Sequence, residues 1–410
     1  MELQRVVITG RGAVSPFGQG VNTLLTAVGA NRSGVVLMPD WRNIRGLESH
    51  LAAPVPAMDV KSMLPRAARR TMGPMALYAT LACQEAIAEA GISPEMLDSG
   101  QVGVAIGSTT GSPEVYEQFY RDYLPTRSIE ELRSGIFFKI MGHSCAANVC
   151  LALGIKGEQW APTSACASSS QAIGLGYLLI KNGRQTAVLC GGADEVHDTV
   201  TMIFDVVKAA SHKTELPLAT PSPFDRDRDG VVCGAGSGIL VLESLKSARQ
   251  RGAHIFAEIT GFGHVTDSNH IANPGEAAIT QAMRNALHEA GLNAADIDYV
   301  NAHATGTQLG DIAEARGIAA VVGNQVPVSS LKGHIGHTLG AAGSLETIIL
   351  LDMLARQEII PTRNLKNPDP ECLVAKLITE PTRKPLEAVL KNNFALGGVN
   401  TSLALKRTIN

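Results

Sequence analysis

The chain has 410 residues, 45% of them hydrophobic and 18% charged, which is ample for one large or two medium cores and excludes a disordered chain. A net charge of −3 gives no electrostatic footprint for nucleic acid. The seven cysteines (Cys83, Cys145, Cys150, Cys166, Cys190, Cys233 and Cys372) are odd in number and have no paired spacing, which argues against a disulfide framework or zinc site and predicts a reducing compartment.

The N-terminus runs directly into a strand pattern with no signal-peptide core, and no apolar run nears ~20 residues. The expectation is therefore a cytoplasmic protein that spans no membrane. Residues 6–18, VVITGRGAVSPFG, read as a buried strand followed by a Gly-rich turn. Gly10-Arg11-Gly12 lacks the third glycine and the acidic partner of a dinucleotide loop, so nucleotide binding is rejected. Residues 65–91 read as one helix, opened by Pro65 and closed by Gly91. Arg66, Arg69 and Arg70 crowd its start, either as a solvated face or as a docking patch for an acidic partner. A strand at 102–106 and a Gly/Ser/Thr loop follow. Residues 113–160 read as irregular and rich in aromatics, which suits an insertion that covers a cavity or builds a subunit interface.

The stretch 163–174, TSACASSSQAIG, places Cys166 on a turn at the start of a helical pattern. Unpaired N–H groups and the helix dipole favour a thiolate there, and small neighbours admit another molecule. A buried structural cysteine fits the same local pattern. Strands at 186–190 and 237–242 flank a charged loop, ATPSPFDRDRDGVVCGAGS, and a helix runs through Arg251. Alternating strands and helices of this length indicate an α/β architecture.

The second half repeats the first. AIAEAG at 86–91 precedes a strand and a polar loop, and ALHEAG at 286–291 precedes a strand at 297–300 and the loop HATGT at 303–307. The strand, turn and helix around Cys166 correspond to a strand at 326–330, a turn at 331–338 and a helix from about 340 to 356. A boundary near residue 250 follows: residues 1–250 carry the cysteine and 251–410 carry two histidines at equivalent turns, His303 and His337. His270, His334 and His143 have no such placement and read as structural. His334 and His337 are three apart, but no third ligand joins them, so no metal is expected.

Several ordered motifs now converge. SACASSSQA around Cys166, NAHATGT around His303, SSLKGHIGHTLGAAGSLE with Lys332 and His337, FALGGVN at 394–400, PFDRDRDG at 223–230 and the opening VVITGRGAV together resemble the β-ketoacyl-acyl carrier protein synthases. The resemblance covers essentially the whole chain. It implies a thiolase-like fold, two duplicated α/β halves in a layered α-β-α-β-α architecture. It also implies an acyltransferase that condenses malonyl-acyl carrier protein, with loss of CO2, onto an acyl group held on Cys166. Backbone N–H groups of Cys166 and Leu396 would form the oxyanion hole. His303 and His337 would stabilise the enolate, and Lys332 would be a buried cation supported by Glu314 and Glu346. Thr305 and Thr307 match hydroxyls that bind pantetheine, while Phe394 and Leu396 match the gate over the acyl pocket. Arg66, Arg69, Arg70, Arg127 and Lys208 fall where such enzymes meet the acidic acyl carrier protein. No cofactor would be permanently bound, because the phosphopantetheine arrives on the carrier. The partner subunit would be an identical copy or a homologous one.

The chain departs from the family pattern in places. Leu396 stands where a second aromatic is common, Ala272 where a pantetheine-contacting Thr is frequent, and Ala235 where a Glu is usual. The 113–148 region lies where these enzymes form the dimer interface and pocket floor. These departures favour a specialised enzyme, such as an aryl polyene or type II polyketide ketosynthase. A degradative thiolase would need a second catalytic Cys near the C-terminus, and FALGGVN has none. A chain-length-factor-like subunit would typically lack the nucleophile.

Overall fold

The computed structural model describes residues 3–130, 132–272 and 274–408. Nine longer strands organise it: β1 (Val6–Ser15), β2 (Val102–Gly107), β3 (Ala187–Asp194), β4 (Gly236–Ser244), β5 (Ala257–Thr266), β6 (Tyr299–Asn301), β7 (Pro327–Ser329), β8 (Ala388–Phe394) and β9 (Val399–Arg407). Their order across the sheet is β7-β6-β8-β9-β5-β1-β4-β3-β2, extended at the two ends by the short strands Lys376–Leu377 and Gln159–Trp160. Read outward from the centre, both sides run antiparallel, antiparallel, then parallel. The halves meet where Val6–Ile8 of β1 pairs antiparallel with 257–259 of β5.

Helix α1 (Pro74–Ala90) lies outside β1 and β4, and α3 (Glu276–Ala290) lies equivalently outside β5 and β9. Between the halves run α2 (Ser168–Lys181) and α5 (Ala342–Arg356), which pack on each other and on strands of both halves. This is the thiolase-like layering of helix, sheet, helices, sheet, helix. The largest apolar cluster accordingly joins Ile173 and Ile180 of α2, Leu345 and Ile349 of α5, and Ile8, Leu240, Ile259 and Leu403 of the sheet.

Gly10 and Gly12 belong to the middle of β1, not to a turn. A Cβ on them would fall 2.3 Å from the Ala86 carbonyl oxygen and 1.9 Å from that of Ala82. In the second half, Gly261 and Gly263 meet the carbonyls of Ala286 and Ala282 at 2.1 and 1.8 Å. Both pairs exist because a helix backbone lies directly against the strand, a contact only glycine permits. The duplication is thus repeated at the level of single packing contacts.

Two further expectations are corrected. The helix expected over 65–91 is two pieces, Arg66–Arg69 and Pro74–Ala90, because Pro74 has no N–H to continue a helix and disfavours helical geometry at Gly73. The region 113–160 is not irregular: it contains helices Pro113–Tyr123, Gly135–Ile140 and Ser144–Leu153. Tyr116, Phe119, Tyr120 and Tyr123 make ring contacts along one side of the first of these, Phe119 meeting Tyr120 edge to face. Phe137, Phe138 and Leu151 are exposed.

Candidate active site

Cys166 sits in a single 3-10 turn, Ala165–Ala167, that leads straight into α2. Ala165 holds a left-handed φ of 46°, so the chain bends sharply before the sulfur and presents it at the helix start. Ser168 steadies the bend by donating to the Ala165 carbonyl at 2.7 Å and accepting from the Ser164 N–H at 2.9 Å. His337 follows the short helix Lys332–Ile335 across Gly336, whose φ of 67° suits a residue without a Cβ. Its backbone is strapped to the 232–234 loop, the His337 N–H donating to the Val232 carbonyl and the Gly234 N–H to the His337 carbonyl, each at 2.7 Å. His303 lies just past β6. The Glu314 carboxylate, on helix α4 (Gln308–Val322), accepts from the backbone N–H groups of His303 and Ala304 at 2.8 and 2.6 Å.

The three side chains converge. His337 Nε2 is 2.8 Å from Cys166 Sγ, and one ligand-type atom from each of Cys166, His303 and His337 lies within 4.8 Å of the others. The imidazoles stand edge to face with centroids 5.2 Å apart, and Phe394 packs on His303 at 6.3 Å. All three residues are buried and line a cavity of about 360 Å³. Thr305, Thr307, Phe394 and Leu396 line the same cavity. The two threonine hydroxyls are 3.1 Å apart. The loop that carries Leu396 is tied to the 271 segment, the Gly397 N–H donating to the Ile271 carbonyl at 2.8 Å.

Electrostatics correct one expectation. Burial pushes the Cys166 thiol up to about 12, outweighing the pull of Lys332 and of the backbone N–H groups of Cys166 and Leu396. The helix start therefore does not hold a resting thiolate. Burial, reinforced by Lys332, also holds His303 and His337 well below the usual histidine value, so both are neutral near pH 7. The two N–H groups that act on the sulfur are those expected to form an oxyanion hole.

Behind the histidines lies a buried charge cluster. Lys332 donates to Glu346 Oε1 at 2.6 Å, and Lys391 Nζ sits 2.7 Å from Glu346 Oε2, with all three side chains fully buried. Burial lowers Lys391 to about 8 despite Glu346, and burial raises Glu314 to about 7. Lys391 escaped the sequence reading, because a lysine in AVLKNNFAL looks like a strand's solvent face. His270, which the sequence reads as structural, lines the cavity with Ala272. Arg228 of PFDRDRDG is also buried, 2.6 Å from Asp369 and 3.6 Å from Asp311, which explains that motif as a clamp on α4.

Of the five basic residues expected to meet a carrier, Lys208 lines the cavity mouth. Arg66, Arg70 and Arg127 are exposed but are not among the cavity-lining residues, and Arg69 is half-buried, donating to the Leu64 carbonyl at 2.9 Å.

A duplicated α/β fold that aims a helix-start cysteine from one half at two histidines of the other defines a thiolase-like condensing acyltransferase. The chain belongs to the β-ketoacyl synthase family: residues 3–248 match the beta-ketoacyl synthase N-terminal domain and residues 256–366 the C-terminal domain. It is 34% identical over 409 residues to 3-oxoacyl-[acyl-carrier-protein] synthase 1 of Escherichia coli (strain K12), covering 99% of each chain. The crystal structure of a beta-ketoacyl synthase from Burkholderia phymatum STM815 is 42% identical with a TM-score of 0.96, over 99% of this chain and 100% of that one. AntDE:AntF, a type II polyketide synthase acyl-carrier protein in complex with its ketosynthase bound to the hexaketide, superposes with a TM-score of 0.91 at 27% identity, over the full length of both chains.

Proposed function

We propose that this protein is a β-ketoacyl-acyl carrier protein synthase that extends an acyl group on Cys166 by two carbons taken from malonyl-acyl carrier protein. The observation that carries this reading is the 2.8 Å approach of His337 Nε2 to Cys166 Sγ, with His303 in the same buried cluster. Thiol and imidazole both start neutral, so the sulfur attacks the acyl thioester as its proton passes to His337. The tetrahedral oxyanion is met by the N–H groups of Cys166 and Leu396. Collapse expels the carrier's pantetheine thiolate, which takes that proton and leaves an acyl-Cys166 thioester.

Malonyl-carrier then enters, its pantetheine passing Thr305 and Thr307. Cleavage of the bond to the carboxylate releases CO2 and leaves an enolate, whose oxygen accepts hydrogen bonds from Nε2 of His303 and His337. The enolate carbon attacks the acyl carbonyl, expels the Cys166 sulfur and yields the β-ketoacyl-carrier. The departing Cys166 thiolate is reprotonated from solvent through His337, the one proton the overall reaction consumes. His337 thus accepts in the first half-reaction and donates in the second. Its Nδ1 has no hydrogen-bond partner among the described residues, so neither tautomer is fixed.

Lys332 and Lys391 keep the site electropositive, which favours the enolate, and Glu346 holds them in place. Glu314 sets the His303 turn. The boundary near residue 250 divides a nucleophile half from a histidine half, a reading supported by the separate family matches on either side of it. The carrier brings the phosphopantetheine, and no permanently bound cofactor is required. Lys208 beside the mouth suits an acidic carrier, with Arg66, Arg69, Arg70 and Arg127 forming the wider patch. The exposed Phe137, Phe138 and Leu151 suit a second subunit, identical or homologous. No helix among the described residues is long and apolar enough to cross a membrane, and the free cysteines support a cytoplasmic setting. Leu396 and Ala272 at the pocket entrance support a specialised, polyketide-type substrate.

The test is condensation itself. Acyl-carrier and malonyl-carrier incubated with the protein should give a β-ketoacyl-carrier two carbons longer and one CO2 per turnover. Release of the acyl group to water alone, with no elongated product, would refute the reading.

A further inference from the structure

Strand β8 ends in Lys391-Asn392-Asn393-Phe394, and the three polar side chains are fully buried. Lys391 Nζ donates to Asn393 Oδ1 at 2.8 Å and to the Asn392 carbonyl at 2.7 Å. Ser170, on α2 one turn beyond Cys166, also donates to Asn393 Oδ1. An ammonium group has donors and no acceptor, so the amide oxygen of Asn393 must face Lys391. That turns the amide nitrogen toward His303, whose Nδ1 lies 3.3 Å from Asn393 Nδ2. An amide NH2 cannot accept from an imidazole N–H, so Nδ1 of His303 is the acceptor and the ring proton resides on Nε2.

We propose that Lys391 and Asn393 are positioning residues that lock His303 in the Nε2–H tautomer, so that it always presents a donor to the substrate oxygen. The inference rests on the reading of His303 as a donor during malonyl decarboxylation. It also separates the two histidines: His303 is pinned through Asn393, whereas Nδ1 of His337 meets no partner among the described residues. One histidine serves as a fixed donor and the other is free to exchange a proton with Cys166. Two adjacent histidines with unfixed tautomers would leave the site non-productive for part of the time.

The test uses protein labelled with 15N-histidine, with His303 assigned through His303→Gln, alongside separate assays of acyl transfer to Cys166 and of CO2 release from malonyl-carrier. In the wild-type spectrum, His303 should carry its proton on Nε2. Asn393→Asp replaces the donor with a carboxylate oxygen, so the proton should move to Nδ1. Decarboxylation should then fall ~10²-fold, the scale of losing one preorganised donor, while acyl transfer stays within about threefold. Lys391→Met keeps Asn393 but frees its amide to turn over. It should show both tautomers in the spectrum and a smaller loss of decarboxylation, about tenfold.

A wild-type His303 protonated on Nδ1 would overturn the proposal without any variant. So would folded Asn393→Asp or Lys391→Met protein that decarboxylates within twofold of wild type. The underlying reading fails differently: His303→Ala, which has no donor, would then keep its decarboxylation, whereas failure of the relay alone leaves His303→Ala inactive and Asn393→Asp active.

Discussion

The turn that carries Cys166 has a twin in the second half. Ala165-Cys166-Ala167 and Leu339-Gly340-Ala341 are both 3-10 turns, both open on a left-handed residue (φ 46° and 49°), and both feed a central helix. In the first the middle residue is the sulfur at the cavity; in the second it is a glycine. A Cβ at Gly340 would lie 2.6 Å from Asp194 Oδ2 and 3.0 Å from the Thr109 backbone nitrogen. The second turn is occupied by the first half's own loops, and the Gly340 N–H donates to Asp194 at 2.7 Å. Duplication therefore supplies two equivalent bends, and packing around one of them decides that the molecule has a single nucleophile. The histidines then come from the half whose bend is silent.

The largest effect should come from removing that asymmetry. Cys166→Ala should abolish acyl-enzyme formation and lower condensation ~10⁴-fold or more, measured as elongated product by mass. His303→Ala should leave acylation intact but cut CO2 release from malonyl-carrier ~10²- to 10³-fold. Equal loss in both half-reactions would mean the two halves do not divide the chemistry.

Behind the site, Glu346→Gln removes the carboxylate that pairs directly with both buried ammonium groups. The variant should be destabilised by about 3–5 kcal/mol, read from denaturant unfolding, a cost far above that of exposed pairs such as Arg316 with Glu371.

The pH response distinguishes activity from stability. Both active-site imidazoles are held well below 6.5, chiefly by burial, so decarboxylation should not fall as pH drops from 8 through 6.5, and Lys391, lowered to about 8, gains charge over the same range. The unfolded chain, whose histidines have ordinary values, binds protons below 6.5 that the folded chain does not. The two histidines' contribution to stability should therefore decline as pH drops through 6.5 and be fully present well above it, while the raised carboxyl of Glu314 acts in the opposite sense below about 7. An acid limb in decarboxylation near 6.5 would contradict the neutral pair.

Smallest should be the effect at the gate. Leu396→Phe keeps the backbone donor and enlarges the side chain over the mouth, so acyl preference should shift by about 10-fold or less at near-constant decarboxylation. A larger fall in decarboxylation would show that the side chain, not only its N–H, serves the chemistry.

Much of this is legible in the sequence alone. The paired AIAEAG and ALHEAG segments announced the duplication, and the helix-start cysteine with two turn histidines announced the site. What stayed hidden depended on a partner far away in the chain. Gly10 and Gly12 resemble a turn until a helix backbone is seen pressed against their strand. Lys391 resembles a surface residue until Glu346 arrives from α5. The thiolate expectation followed from the helix start alone, and burial by both halves outweighs it. Other features were readable and missed: Gly73-Pro74 marks a helix break, and the spacing of Tyr116, Phe119, Tyr120 and Tyr123 is helical.

The most direct test of the central claim is intact-protein mass spectrometry after incubation with a panel of acyl-carrier thioesters, with Cys166→Ala beside the wild type. A mass gain of one acyl group, absent from the variant and mapped to Cys166, is the expected result, and the preferred acyl group would identify the substrate class. A wild-type protein that no acyl-carrier labels, or a Cys166→Ala variant that labels equally well, would contradict the account.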